Sequence, residues 1–138
     1  MTGRLLKYIM LPMFFLGMIT SLSCGRIDGE FAVKRSQDEV YHRITKPLEF
    51  SSDEEAKWAF VTKKTRKRRD LGIAVLKKEL GWIEVKTWSD YIDIEKPVIH
   101  GEIRDYPPGD YRIMILDFKR NNRIVGTIDF LVYPLQED

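Results

Sequence analysis

From about residue 56 onward, apolar residues recur at every second position in short runs separated by turn-forming residues. Arg123–Tyr133 (RIVGTIDFLVY) puts Ile124, Gly126, Ile128, Phe130 and Val132 on one parity and Val125, Thr127, Asp129, Leu131 and Tyr133 on the other. A period of two with β-branched and aromatic enrichment predicts a strand. Residues 111–118 (YRIMILDF) form a second such run, and KRNNR joins the two. Asn121 and Asn122 both tolerate φ > 0, so the pair predicts a hairpin. Upstream, residues 82–88 (WIEVKTW) alternate Trp82, Glu84, Lys86 and Trp88 against Ile83, Val85 and Thr87. Residues 72–77 (GIAVLK) predict the strand before them, with a turn around Leu80-Gly81, and residues 97–103 (PVIHGEI) a short extended segment. Residues 56–62 (AKWAFVT) follow SSDEE, where Ser52 and Glu55 have the spacing of a helix capping box. The run is short and rich in aromatic and β-branched residues, which favours a strand. Residues 40–50 hold a first strand broken at Pro47, as suits an edge.

The pattern amounts to about seven short strands with no long amphipathic helix, which predicts an all-β sandwich or small barrel. There is no internal repeat and no low-complexity tract. Residues 107–114 read PPGDYRIM, with Gly109, Tyr111 and Ile113 at alternate positions. This arrangement resembles the start of strand F in immunoglobulin-like domains, with Ile113 where the second core cysteine stands in that family. The resemblance implies an Ig-like or fibronectin-III-like antiparallel β-sandwich over residues 37–138, with residues 98–133 as its last three strands. It also implies a tyrosine corner, in which the Tyr111 ring packs at a sheet corner and its hydroxyl bonds upstream backbone.

The beginning of the chain has a different character. Arg4 and Lys7 precede an apolar stretch from Tyr8 to Ile19, and Thr20, Ser21 and Ser23 are small residues before Cys24. This is the layout of a secretory signal peptide. The stretch is too short to cross a hydrocarbon layer of about 30 Å comfortably, and Pro12 and Gly17 weaken it further as a helix. Ser21-Leu22-Ser23-Cys24 resembles the lipobox of bacterial lipoproteins, although its branched apolar residue stands one place later than usual. The resemblance implies cleavage after residue 23 and acyl chains on Cys24, enough to hold the protein on a membrane at about 0.8 kcal/mol per buried CH₂. Gly25 stands where an Asp would signal retention in the inner membrane, so the resemblance implies the outer membrane. Residues 24–36 are expected to form the lipidated Cys and a flexible tether, because GRIDGE is polar and glycine-rich.

The whole chain of 138 residues carries 23 basic and 21 acidic residues, and Arg4 and Lys7 are the only charges before Cys24. The part that remains after cleavage is therefore neutral, which argues against a nucleic-acid-binding surface. Cys24 is the only cysteine, so no intrachain disulfide exists. His42 and His100 are too few for most metal sites, and no nucleophile elbow, phosphate loop or H-E-x-x-H occurs. Carboxylates such as Asp53, Glu54 and Glu55 lie in a solvated loop with no sequence reason for a raised pKa. No metal or cofactor is expected.

Against that neutral background, Lys63, Lys64, Arg66, Lys67, Arg68 and Arg69 form a dense basic segment. Such a segment can capture lipid headgroups or acidic glycan, or can simply keep a loop soluble. Like charges at this density are expected to stay out of the core as an exposed loop. Replacing Arg66, Lys67, Arg68 and Arg69 by Ser is then expected to abolish anion binding and leave stability nearly unchanged. Trp58, Trp82, Trp88 and Tyr91 could form a sugar platform but more commonly fill a sandwich core. The sequence thus implies a non-catalytic, membrane-anchored lipoprotein acting as a binding or adhesion module. The alternative is a periplasmic structural lipoprotein contacting other envelope proteins. Cys24→Ser is expected to prevent acylation and move the protein from the detergent phase to the aqueous phase in phase partitioning; unchanged partitioning would refute the anchor.

Overall fold

The computed structural model describes residues 26–64 and 67–135. The leader, Cys24 and Arg66 lie outside them. The described residues form nine strands: β1 (Asp28–Arg35), β2 (His42–Arg43), β3 (Leu48–Ser51), β4 (Ala56–Lys63), β5 (Arg69–Lys78), β6 (Trp82–Ile92), β7 (Val98–Ile103), β8 (Gly109–Asp117) and β9 (Arg123–Tyr133). They form a four-stranded sheet in the order β2-β1-β4-β7 and a five-stranded sheet in the order β3-β9-β8-β5-β6. The inner faces of the two sheets share one apolar core, so the expected all-β sandwich is the fold.

The alternation of the sequence is converted directly into this layering. In β4, Ala56, Trp58, Phe60 and Thr62 are buried while Lys57, Val61 and Lys63 face outward. The residues of 56–62 thus form a strand, not a helix. In β8, Tyr111, Ile113 and Ile115 are buried and Arg112, Met114 and Leu116 lie on the other face. The largest buried side chain is Trp58, whose indole lies against Gly101 of β7. A Cβ at Gly101 would stand 2.3 Å from the indole ring, so only glycine admits this approach. Trp88 of the opposite sheet packs on the other side, with ring centroids 6.3 Å apart.

The β8–β9 hairpin forms as the sequence predicts. Asn121 and Asn122 have φ of 54° and 57°, after one 3-10 turn at Phe118–Arg120. A bulge opposite Ile115/Leu116 shifts the register of β9, so Gly126 pairs with Ile115 but Ile124 pairs with Leu116. The extra residue reverses the parity of the strand's beginning. Val125 therefore packs against the core, whereas Ile124 is 54% exposed instead of sharing the inner face with Ile128.

Three expectations need correction. Residues 28–35 are not part of a tether: β1 pairs along its whole length with β4, from Asp28 opposite Lys63 to Arg35 opposite Ala56. Its alternation puts Phe31 and Val33 against the core, and that burial outweighs the polar, glycine-rich approach. Strand formation therefore begins upstream of residue 37. The sandwich is also not wholly antiparallel, because β3 runs parallel to β9, with Leu48 opposite Phe130 and Ser51 opposite Tyr133. Finally, the segment after β1 supplies two strands instead of one. His42–Arg43 closes the edge of β1, and the chain then crosses at Pro47 to the other sheet.

The tyrosine corner is present. Tyr111 is 1% exposed and its hydroxyl donates to the Pro107 carbonyl. Its ring stacks on Phe130 at 5.1 Å with an interplanar angle of 10°, and Tyr106 tilts against both. Gly109 opens the strand at φ 155°, a value that side-chain-bearing residues avoid. Burial pushes the pKa of Tyr106 and Tyr111 above the ordinary tyrosine value, because loss of water disfavours phenolate. Tyr111→Phe is expected to cost about 1–3 kcal/mol in denaturant unfolding, at the lower end because Pro107 is solvent-exposed. With folded pKa values raised, the tyrosines' contribution is complete below the ordinary value of 10.0. It is lost as pH rises through the folded values. The thermal midpoint should therefore fall in that alkaline range, and less steeply in Tyr111→Phe.

Candidate functional site

The strands bring the basic segment to one end of the sandwich, and its members have different surroundings there. Lys63 closes β4 and donates to Glu30 at 3.3 Å, with Arg43 on the same carboxylate at 3.1 Å. Lys63 and Arg43 together hold the Glu30 carboxyl below the usual carboxylate range. Arg68 pairs with Asp70 and lies 4.1 Å over the Tyr91 ring. Lys64 and Lys67 are exposed and have no ion-pair partner among the described residues. Arg69 departs most from expectation. It begins β5, its side chain is only 16% exposed, and Nη1 donates to Asp117 at 2.7 Å. Asp117 itself is buried at the end of β8 and also accepts the Lys119 backbone N–H that starts the 3-10 turn. The segment therefore is not uniformly a free loop, and one of its charges is a structural element joining β5 to the β8–β9 turn.

The same end gathers cations that the sequence pattern did not connect to the segment. Arg26 precedes β1, while Lys119, Arg120 and Arg123 come from the β8–β9 turn. Arg26, Asp28, Asp117, Arg120 and Arg123 line one open hollow. The grouping follows from register, with Asp28 opposite Lys63 and Asp117 opposite Leu71. GRIDGE and KRNNR carry these charges openly in the sequence, but nothing local says that they meet.

A second surface is the outer face of the five-stranded sheet. The register places Leu116, Gly72 and Ser89 in one row, Met114, Ala74 and Thr87 in the next, and Arg112, Leu76 and Glu84 in a third. Ile124 continues the first row on β9. Phe118 folds over Gly72, where an added Cβ would lie 2.6 Å from its Cζ. A bulge opposite Val75/Leu76 makes Val85 the extra residue of β6. On this face Ile124, Phe118 and Trp82 are 54%, 47% and 38% exposed. At one side of this apolar band Arg112 grips Asp129 with two hydrogen bonds at 2.7 and 3.1 Å and stacks 4.4 Å from the Trp82 ring. The outer face of the other sheet is unlike it, with Glu30, Lys34, Lys57, His100 and Glu102 among its outward residues.

The aromatic candidates do not assemble into a platform. Trp58 is core, Trp88 packs against it, Trp82 lies on the outer face, and Tyr91 sits between Arg68 and Lys96. His42 lies 3.8 Å from Asp38, and His100 faces Tyr41 on the outside of the four-stranded sheet. No group of three or more metal-ligating side chains occurs among the described residues.

The Arg69–Asp117 pair makes the quadruple Ser replacement of residues 66–69 unsuitable as a stability-neutral variant. Asp117→Ala is expected to cost about 3 kcal/mol, because it strips a largely buried guanidinium of this partner and the turn of its cap. Arg68→Ser, at an exposed pair, is expected to change stability by no more than about 0.5 kcal/mol. Urea denaturation of the two variants checks the contrast, and equal midpoints would refute it.

No protein-family model matches the chain, and no curated protein matches it. Among solved structures, the chain is similar to the soluble domain of PmoD from a Methylocystis species, at 12% identity and a TM-score of 0.53, covering 79% of this chain and 94% of that one. It is also similar to a CARDB domain of a Pyrococcus furiosus protein, solved in complex with di-metal ions, at 16% identity and a TM-score of 0.42, over 78% of this chain and 89% of that one. The likeness to the PmoD domain is one of fold, and it agrees with the Ig-like β-sandwich that the strand order describes.

Proposed function

We propose that this chain is a non-catalytic module of the bacterial cell envelope, held on the outer membrane by lipid on Cys24, that binds a protein partner through the outer face of its five-stranded sheet. The observation that carries the binding role is the apolar band on the outer face of a sheet whose inner face is already buried, with Trp82, Phe118 and Ile124 exposed and Leu76 and Met114 half-buried among them. Exposed apolar side chains gathered on one sheet face and rimmed by polar residues mark a surface for contact with a partner. The aromatic Trp82 beside the Arg112–Asp129 pair supplies the residue types that anchor interfaces, with a polar rim next to an apolar centre. A partner surface presenting apolar side chains fits this band, whereas a glycan would call for aromatic rings arranged as a platform. This favours contact with an envelope protein over adhesion to sugar. The leader that ends at Cys24 supports the anchoring half of the reading, since residue 26 lies only two positions on, at one end of the sandwich.

Trp82→Glu with Ile124→Glu places two charges in the band at positions already exposed, so folding should be preserved. In intact cells, the lipidated parent should be crosslinked to a defined envelope protein. That adduct should fall at least tenfold in the double variant and persist in Lys57→Ser/Glu102→Ser on the other sheet. Equal crosslinking of parent and double variant, or none for the parent, would refute the binding face.

A further inference from the structure

The surface charge of this neutral domain is sorted by end. At the end where residue 26 enters, Lys63, Arg68, Arg69 and Lys96 are matched by Glu30, Asp70, Asp117 and Asp90. Arg26, Lys64, Lys67, Lys119 and Arg123 are exposed there and have no ion-pair partner among the described residues. Against them at this end stand Asp28 and the Asp93–Glu95 turn, in which the Asp93 carboxylate already accepts the Glu95 and Lys96 backbone N–H groups. The opposite end, formed by the β1–β2, β3–β4, β5–β6 and β7–β8 turns, carries Asp38, Glu39, Asp53, Glu54, Glu55, Glu79 and Asp105 against fewer cations, of which Arg35 pairs with Glu54, Lys77 with Glu79 and Arg104 with Glu55 and Asp105. The domain is thus an electrical dipole along the strand direction, positive where the chain comes in from Cys24.

We infer that this basic end docks flat against anionic phospholipid headgroups, so that the strands stand along the membrane normal and the acidic end points away from the bilayer. The inference rests on the lipid-anchor reading for its biological setting but not for its physics. Three separate segments supply the cations: the start of β1, the β4–β5 connection and the β8–β9 turn. Their convergence gives a surface, where a single charged loop would give only a flexible contact. A residue held two positions from a lipidated Cys24 lies within a few ångströms of the headgroups, inside one Debye length of about 8 Å at physiological ionic strength. In the inverted pose the carboxylates of the far end would meet the same surface and be repelled, which favours the orientation with the basic end down. End-on docking also leaves the sheet faces, and with them the apolar band, perpendicular to the membrane and open to a neighbour at its side.

The test uses the chain from residue 24 onward with Cys24→Ser, which retains every strand and every core residue described above. Cosedimentation is measured with vesicles of phosphatidylcholine alone and with one-third phosphatidylglycerol. Binding should occur only to the anionic vesicles and fall steeply from 20 to 150 mM salt. Arg26→Ser/Lys119→Ser/Arg123→Ser, which leaves the basic segment untouched, should weaken partitioning by about fivefold per cation removed. Lys64→Ser/Lys67→Ser should do the same, while Lys34→Ser/Lys57→Ser/Lys78→Ser, with an equal loss of charge elsewhere, should leave it near the parent's value. No binding at 20 mM salt, or equal loss in the last variant, would overturn the docking end. Binding to heparin without binding to vesicles would overturn it in favour of an acidic glycan. The anchor is judged separately by acylation of Cys24 in the unmodified chain, so either reading can fail while the other stands.

Discussion

The packing of Trp58 between the sheets is the contact on which the sandwich depends. With Cys24 the only cysteine, no disulfide can tie the layers together, and a buried indole performs the joining instead. Trp58 reaches from β4 to Trp88 of the facing sheet, with Phe31 of β1 also beside it at 6.0 Å. Truncating a buried aromatic of this kind typically costs about 3–5 kcal/mol, a large share of a small domain's stability. The indole fits because β7 offers Gly101 at the point of closest approach. One absent Cβ therefore sets the spacing between strand and ring, and the aliphatic core of Ile99, Ile113 and Ile115 fills in around it.

Once both inner faces are spent on that core, recognition is left to the outer faces and the two ends. The outer faces have opposite chemistry. The four-stranded sheet shows charge and the five-stranded sheet shows an apolar band. The exposed edge of β6 is guarded by the bulge at Val85, and Lys86 pairs with the inward-facing Val75, which places a charge on the inner side of that edge. Both devices discourage strand addition along this edge. A partner of the proposed kind would therefore meet the band face-on, side chain to side chain, and not by extending the sheet.

The β8–β9 turn links the two surfaces. Asp117 caps it and holds Arg69, Phe118 lies over Gly72 on the apolar face, and Lys119 and Arg123 project at the basic end. Three consecutive positions and Arg123 at the start of β9 thus serve the fold, the band and the charged end at once. A disturbance at Asp117 reaches all three, whereas one at Trp82 or Lys67 affects only the surface it belongs to.

The sequence by itself determined what is local. The β8–β9 hairpin, the Asn121-Asn122 turn, the tyrosine corner at Tyr111 and the strand at Ala56–Lys63 all follow from alternation and turn chemistry within a few residues of each other. The alternation of Glu30, Ala32 and Lys34 against Phe31 and Val33 was equally legible in β1, but the polar GRIDGE before it reads as a tether. Only the tertiary structure decided which side of an alternating strand would be covered and which charges would meet. Ile124 shares its parity with Ile128 in the sequence, yet a bulge in the pairing with β8 turns it to solvent. Arg69 is one cation among six in the sequence, but Asp117, distant along the chain, makes it a half-buried structural charge. Arg26 and Arg123 join the basic end through strand register alone. Periodicity records that a residue has two choices of face; the free energy that selects between them comes from partners brought together by chain closure, and those partners are not its neighbours in sequence.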